Sequence, residues 1–217
     1  MKRLGTGGMG AVWSAAHVAT GRELAIKFLH PLIASESDDV RQRFLQEART
    51  SSRVNHPGII DIFDAGETDD GTLFLVMELL DGMSLGEAMR AVPPLDAREL
   101  LVVIGASTRA LAAAHAAGIV HRDIKPPNII LQTNAEGMLR IRLMDFGVSK
   151  NVGAEREPTQ KTDVHANPSL TQQGAIVGTP HYMAPEQIVG QSVDSRADLY
   201  AVGVVAYEMM CGQTGFE

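Results

Sequence analysis

The chain has 217 residues and a net charge of −7, with 45% hydrophobic and 21% charged residues. This composition excludes a disordered chain, and the acidic balance argues against nucleic acid or an anionic membrane as a broad partner. The single Cys211 excludes an internal disulfide framework, and no continuous apolar run reaches the roughly 18 residues that a membrane span needs.

The first third of the chain predicts strands and one helix. Apolar runs bounded by turn residues predict strands at about 4–17, 22–29, 59–65 and 72–77. Between the second and third runs, apolar residues recur at helical spacing over 38–54, and Pro57 follows. This part is therefore expected to form a small β-rich lobe with one amphipathic helix.

The pattern changes to helices after residue 82. Asp96 and Glu99 form a capping-box pattern ahead of an alanine-rich run at 97–117, and Gly118 stands where a helix ends. A helix of this composition is expected to be buried over much of its circumference.

A second buried helix is predicted at 195–210, followed by Gly212. Its expected buried side carries Leu199, Val202, Val205 and Ala206. The polar stretch 151–179 has no periodicity, which predicts a loop.

Residues 5–12 have the sequence GTGGMGAV, which matches G-x-G-x-x-G-x-V. Glycines at these positions let a backbone approach phosphate oxygens without obstruction from Cβ. The motif alone is weak, because an ordinary glycine-rich turn has the same pattern. A dinucleotide-binding fold would need a helix directly after the glycines, whereas this sequence continues as a strand, which favours a phosphate-binding hairpin.

Lys27 and Glu47 follow the glycine motif in the next strand and in the amphipathic helix. Either residue alone is typical of a solvated surface charge. Their position after the glycines favours a Lys27 that points into a cleft and a Glu47 that orients it towards the α- and β-phosphates of a nucleotide.

The strongest motif is HRDIKPPN at 121–128, which is followed by the triplet that starts at Asp145. Asp123 is suited to accept or orient a hydroxyl proton, and Lys125 to neutralise a phosphoryl group in transfer. Asn128 and Asp145 offer oxygen ligands for Mg²⁺. A charged turn is the alternative, but so many matched positions favour phosphoryl transfer.

The segment GTPHYMAPE at 178–186 completes the pattern, and the whole chain resembles the eukaryotic-type (Hanks-type) serine/threonine protein kinases, most of all their bacterial members. Lys125 and this segment follow the Ser/Thr pattern rather than the tyrosine-kinase pattern. The resemblance implies an α+β two-lobed fold with a small antiparallel N-lobe sheet, one N-lobe helix and a mainly helical C-lobe. The implied boundaries are an N-lobe at 1–78, a hinge at 79–82, a partial C-lobe at 83–217 and an activation segment at 145–186.

The resemblance implies ATP and Mg²⁺ as cofactors and a protein Ser or Thr as acceptor. Backbone groups of Glu78 and Leu80 would contact adenine, and Met77 would be the gatekeeper. The other implied nucleotide-binding residues are Leu4, Gly5, Thr6, Gly7, Gly8, Gly10, Val12, Ala25, Lys27 and Ile130.

Three further roles follow from the resemblance. Thr179 would bond with Asp123 and Lys125, and Asp198 would hold the backbone of the catalytic loop. Arg122 implies control by loop phosphorylation, and a dimer would serve autophosphorylation. The candidate acceptors, of which Thr171 is favoured, are Thr159, Thr162, Ser169 and Thr171.

The resemblance also implies a truncated domain, because the family fold continues through C-lobe helices that supply an Arg partner for Glu186. A kinase domain of this type is expected in the cytoplasm, and a membrane tether outside this chain stays open. Two alternatives to an active kinase remain: a non-catalytic ATP-binding or scaffold protein, and a small-molecule phosphotransferase. The segment 178–186, which would face a peptide, disfavours the second.

Overall fold

The computed structural model describes residues 1–7, 10–30, 38–91, 96–134, 136–146 and 180–214. The α+β class is confirmed, with a sheet-rich N-terminal part and a mainly helical C-terminal part. Several sequence predictions lie outside the described residues: Gly8, the loop at 151–179, Thr179 and the candidate phosphorylation sites Thr159, Thr162, Ser169 and Thr171.

The N-terminal part is an antiparallel sheet with the strand order β1-β2-β3-β5-β4. The first predicted strand is two strands, because the chain folds back between Gly7 and Gly10, which pair in register. The strands are β1 (Lys2–Gly7), β2 (Gly10–Ala16), β3 (Glu23–Leu29), β4 (Ile62–Glu67) and β5 (Leu73–Glu78).

The predicted amphipathic helix is α1 (Asp38–Ser51), which packs on this sheet. Its buried Phe44 and Ala48 belong to one cluster with Leu29 of β3 and Leu73 and Leu75 of β5. An ion pair between Arg41 and Glu67 also joins the helix to β4. The helix is thus attached to the sheet through its apolar face, as its 3.6-residue periodicity predicts.

The C-terminal part contains short strands and helices around a second core. The strands β6 (Met83–Ser84), β7 (Ile129–Thr133) and β8 (Leu139–Leu143) form one small antiparallel sheet. The helices are α2 (Leu85–Ala91), α3 (Ala97–Ala116), α4 (Pro185–Ile188) and α5 (Ser195–Cys211), with 3₁₀ turns at Pro126–Asn128 and Pro180–Tyr182.

Helix α3 begins and ends where the sequence predicts. The Asp96 side chain accepts from the backbone N–H of Glu99, and the Glu99 side chain accepts from that of Asp96. Gly118 follows with a φ of +76°, a conformation that costs glycine little. The expected burial around the helix is wrong: one face packs in the core, whereas Leu101 on another is 69% exposed.

By length and mean hydropathy, α3 would suffice to cross a bilayer. It also carries a face of five buried residues that packs in the C-terminal core, and core helices of this kind meet the same criteria. We therefore describe α3 as a core helix of the kinase-like fold.

Helix α5 ends at Gly212, whose φ is +70°, as predicted. Leu199 was predicted on the buried side but is 54% exposed, and Ala206 is half-buried. The buried side chains follow i, i+3, i+4 spacing from a polar residue that apolar periodicity overlooks: Asp198, Ala201, Val202, Val205 and Met209. An apolar count alone therefore placed the buried face too far around the helix.

A short segment at 58–61 connects β8 to the end of β5. Leu143 donates its N–H to Gly58 at 2.8 Å, and Ile60 donates to Leu143 at 3.0 Å. Glu78 donates its N–H to Asp61 at 2.9 Å. The strand that leads to Asp145 is thereby held beside the end of β5, where the nucleotide-binding hinge is predicted to begin.

Candidate active site

The catalytic-loop motif lies between α3 and β7 and is held by the Asp198 carboxylate from α5. Its Oδ1 accepts the N–H of Arg122 at 2.8 Å, and its Oδ2 accepts the N–H of His121 at 2.8 Å. His115 Nε2 lies 2.7 Å from the same Oδ2. Asp198 is fully buried, and the prediction that it holds the loop backbone is confirmed.

Arg122 adopts a φ of +62°, a backbone conformation that residues other than glycine rarely adopt. Such a residue costs roughly 1–2 kcal/mol and persists only where its surroundings hold it. The bond from the Arg122 N–H to Asp198 is one such restraint. This backbone conformation immediately precedes Asp123.

The carboxylate of Asp123 has two polar side chains converging on it. Lys125 Nζ lies 3.0 Å from its Oδ2, and Asn128 Nδ2 donates to the same oxygen at 3.1 Å. Asn128 Nδ2 also donates to the backbone carbonyl of Asp123 at 2.8 Å. Because the Asn128 nitrogen points towards Asp123, its oxygen is the atom left to act as a metal ligand.

His121 is fully buried and joins the loop to the Asp145 triplet. Its Nε2 donates to the carbonyl of Met144 at 3.0 Å, its Nδ1 accepts the N–H of Asp123 at 3.3 Å, and its ring lies 4.4 Å from that of Phe146. Burial lowers the pKa of His121 below its usual value, against the smaller opposing attraction of Asp198 and Asp123.

This lowered pKa predicts an acid-sensitive fold. Below pH 6.5 the unfolded chain takes up a proton on His121 that the folded chain resists, so stability falls as the pH falls towards the folded-state pKa. The slope from this group reaches about 1.4 kcal/mol per pH unit. Urea unfolding between pH 7.5 and 5 measures it. His121→Phe should remove this part of the slope and exposed His30→Phe should not; equal slopes in both variants would contradict the assignment.

Lys27 of β3 and Asp145 form an ion pair, with Nζ 2.7 Å from Oδ1. Both side chains are largely buried, which strengthens the attraction compared with a surface pair. Asp145 has a φ of +62°, and Phe146 beside it is buried. Glu47 lies in α1 next to the buried Ala48, and its predicted pairing with Lys27 stays a prediction.

The glycines of the hairpin serve two different purposes. A Cβ on Gly10, which has a φ of +146°, would stand 1.9 Å from the carbonyl oxygen of Phe28 in β3. Gly10 is therefore required by the sheet itself. A Cβ on Gly5 or Gly7 would meet nothing within 4 Å, so these two leave open space beside the backbone, as a phosphate-binding hairpin requires.

The remaining residues of the predicted nucleotide site lie in the N-terminal sheet, just after it and in β7. Leu4 stands at the register shift between β1 and β2 and is half exposed, and Thr6 is exposed. A cluster of buried Ala25, Ile60 and Met77 is packed by Val12, Leu79, Leu80 and Met144. Ile130 lies half-buried in β7, opposite Arg142, and is not a member of this cluster.

Ile60 and Met144 belong to this apolar cluster although the sequence did not single them out. Arg142 is a second omission: it forms an ion pair with Glu78 and donates to the Ile59 carbonyl at 2.8 Å. The only signal was the inward position of Arg142 in β8, where a charged side chain needs a partner. Glu78, whose backbone is predicted to contact adenine, is thus tied to β8, the strand that precedes Asp145.

Two more contacts occur where the activation segment ends. Tyr182 donates to Glu208 of α5 at 2.6 Å. The pKa of the Tyr182 hydroxyl is raised, mainly by burial and to a smaller extent by this hydrogen bond. Gln187 of α4 donates to the carbonyl of Arg122 at 3.0 Å. Glu186, whose expected Arg partner lies in the implied later helices, is half-buried.

Within the described ranges, no group of three or more His, Cys, Asp or Glu residues is arranged to hold a metal ion. The predicted magnesium pair, Asn128 and Asp145, consists of one amide and one carboxylate. Hard cations such as Mg²⁺ prefer oxygen ligands of this kind and bind through one or two carboxylates together with substrate phosphates. The residues therefore fit a metal that arrives with a nucleotide.

A family model described as the protein kinase domain matches residues 1–217. The chain belongs to the protein kinase family. It is 43% identical over 216 residues to the serine/threonine-protein kinase Pkn1 of Myxococcus xanthus, covering 100% of this chain and 29% of that protein. It is also 37% identical over 217 residues to PknA of Mycobacterium tuberculosis, covering 98% of this chain and 46% of that protein.

A solved structure agrees with this membership. The kinase domain of PknI from Mycobacterium tuberculosis matches with a TM-score of 0.75 and 32% sequence identity, over 100% of this chain and 75% of that one. This kinase thus shares its fold with a bacterial kinase domain. The chain spans less than half the length of the curated relatives named above.

Proposed function

We propose that this chain is the catalytic part of a serine/threonine protein kinase, which transfers the γ-phosphoryl group of ATP to a protein hydroxyl. The observation that carries the proposal is the arrangement around Asp123. Lys125 and Asn128 converge on one carboxylate oxygen at 3.0 and 3.1 Å, on a loop that Asp198 holds from beneath. A surface turn would not need polar side chains that converge in this way.

Asp123 is the group that receives the acceptor hydroxyl. Its carboxylate, 10% exposed, is reachable at one edge while Lys125 and Asn128 fix its orientation. A carboxylate placed in this way accepts a hydrogen bond from the hydroxyl. It takes the proton as the bond from the hydroxyl oxygen to the γ-phosphorus forms and the bond from the γ-phosphorus to ADP breaks. Lys125 beside it offsets negative charge that builds up on the transferring group.

The nucleotide site follows from residues around the N-terminal sheet. The open faces of Gly5 and Gly7 would admit phosphates, and the apolar cluster around Ala25 and Met77 would pack on adenine, with Glu78 and Leu80 offering backbone groups. Mg²⁺, when bound with ATP, neutralises phosphate charge. Its protein ligands would be Asn128 and Asp145.

Lys27 and Asp145 neutralise each other at 2.7 Å. Nucleotide phosphates would attract Lys27, whereas the metal would attract Asp145. Glu47 would then orient Lys27, and Ile130 would cover the base from the C-terminal part. The ion pair therefore brings together the two side chains that would hold the phosphates and the metal.

The acceptor class, regulation and location are part of the same proposal. Lys125 and the segment 178–186 favour a Ser or Thr in a protein substrate. The proposal also includes autophosphorylation within a dimer and a cytoplasmic location for this part of the protein.

Incubation of the purified 217-residue chain with Mg²⁺ and [γ-³²P]ATP, with and without a general protein substrate such as casein, tests the function. We expect labelled protein from which partial acid hydrolysis releases the label as phosphoserine or phosphothreonine. A version of the chain that is extended at its C-terminus should be tested beside it. Melting shifts with Mg·ATP but no label in either chain would instead favour a binding-only protein.

A further inference from the structure

Gln187 joins the activation segment to the catalytic loop through both ends of its side-chain amide. Its Oε1 accepts the N–H of Ala184 at 3.0 Å, which secures the start of α4. Its Nε2 donates to the carbonyl of Arg122 at 3.0 Å. The two partners lie on different segments of the chain, so the amide is a bridge rather than a local cap.

The carbonyl that Gln187 holds belongs to the residue with the strained backbone. Arg122 has a φ of +62°, and its N–H is fixed by Asp198. The bond from the Arg122 N–H to Asp198 restrains the peptide group before Arg122. The bond from Gln187 to the Arg122 carbonyl restrains the peptide group after it, which leads directly into Asp123. The orientation of Asp123 therefore depends on a bond to each side of the strained residue.

We propose that Gln187 is a positioning residue for Asp123, which acts by holding the Arg122 carbonyl and so fixes the peptide group that leads into the catalytic carboxylate. The catalytic part of this inference rests on the proposed kinase function. Gln187 itself touches neither Asp123 nor the reacting atoms in this role. Loss of its bond to Arg122 would release the carbonyl and with it the peptide group before Asp123.

Only an amide can make both bonds at once. A glutamate at this position accepts from the Ala184 N–H as in an ordinary capping box but cannot donate to a carbonyl. A leucine makes neither bond. The pair Gln187→Glu and Gln187→Leu therefore separates the helix start from the link to Arg122.

The test compares wild type, Q187E, Q187L and the control Gln191→Glu, which adds the same charge at an exposed position nearby. At pH 7.5 we expect Q187E to lose about tenfold in kcat, the cost of one hydrogen bond to the Arg122 carbonyl. Its KM for ATP should stay within about twofold, because the hinge and glycine hairpin are untouched. The melting temperature of Q187E should lie close to that of wild type, whereas Q187L should melt lower.

Hydrogen exchange gives a readout that does not depend on activity. In Q187E, the amides of Arg122 and Asp123 should exchange about tenfold faster than in wild type, while those in the middle of α3 should be unchanged. If an active wild type and Q187E have equal kcat, the inference is overturned and the kinase function stands. If wild type transfers no phosphate, the proposed function fails. In that case unchanged hydrogen exchange in Q187E would also overturn the positioning role, whereas faster exchange at Arg122 and Asp123 would support it.

Discussion

Asp198→Ala is expected to lower the free energy of unfolding by about 3–5 kcal/mol. The variant leaves the buried N–H groups of His121 and Arg122 without their acceptor and removes the partner of His115. Each buried donor left unpaired costs about 1–3 kcal/mol, so the total approaches the whole stability of many domains. Urea unfolding at pH 7.5 measures the loss.

The control is Asp194→Ala, one turn earlier at the exposed start of the same helix. Its side chain accepts from the N–H of Arg196 and pairs with that residue in solvent, so the loss should be clearly smaller. Asp198→Asn should fall between the two, because the amide retains one accepting oxygen. A loss for Asp198→Ala no greater than for Asp194→Ala would refute the role assigned to this carboxylate.

Asp123→Asn is expected to lower kcat by about 10²–10⁴, the contribution of a positioned general base. The amide has nearly the same shape but accepts a proton poorly, and it meets the Lys125 ammonium without a charge. Nucleotide binding should persist, because Lys27, Asp145 and the apolar cluster are unchanged. Initial rates with saturating Mg·ATP, together with the melting shift that ATP causes, separate the two effects.

Asp96→Asn provides the matched control for this second substitution. It makes the same chemical change at the exposed start of α3, where asparagine caps a helix about as well as aspartate. Its activity should equal that of wild type. If Asp123→Asn retained more than about a tenth of the wild-type kcat, Asp123 would not be the group that receives the proton.

The regular elements were largely predictable because their signals are local. The capping box of Asp96 and Glu99, and the glycines after α3 and α5, act within a few residues of the chain. The errors concern which side of a helix is buried. Leu199 was placed inside by its apolar character, whereas the buried Asp198 defines the true face through bonds to a loop 76 positions away.

The candidate site divides in the same way. Asp123, Lys125 and Asn128 lie within six positions of each other, so their convergence follows from one motif on one turn. The contacts of Arg142 and Gln187 had no comparable signal in the sequence. Their partners lie 64 and 65 positions away in the sequence and come into contact only in the folded chain.

The amino-acid sequence by itself determined the family, and it predicts the reaction class and the residues suited to it, because these are carried by short motifs whose spacing constrains the chemistry. The tertiary structure alone decided which charges meet. Lys27 pairs with Asp145 across 118 positions, and the strained turn before Asp123 is held from α5 on one side and α4 on the other. The physical reason is that ion pairs and hydrogen bonds depend on a few ångströms of separation, which only the folded chain sets.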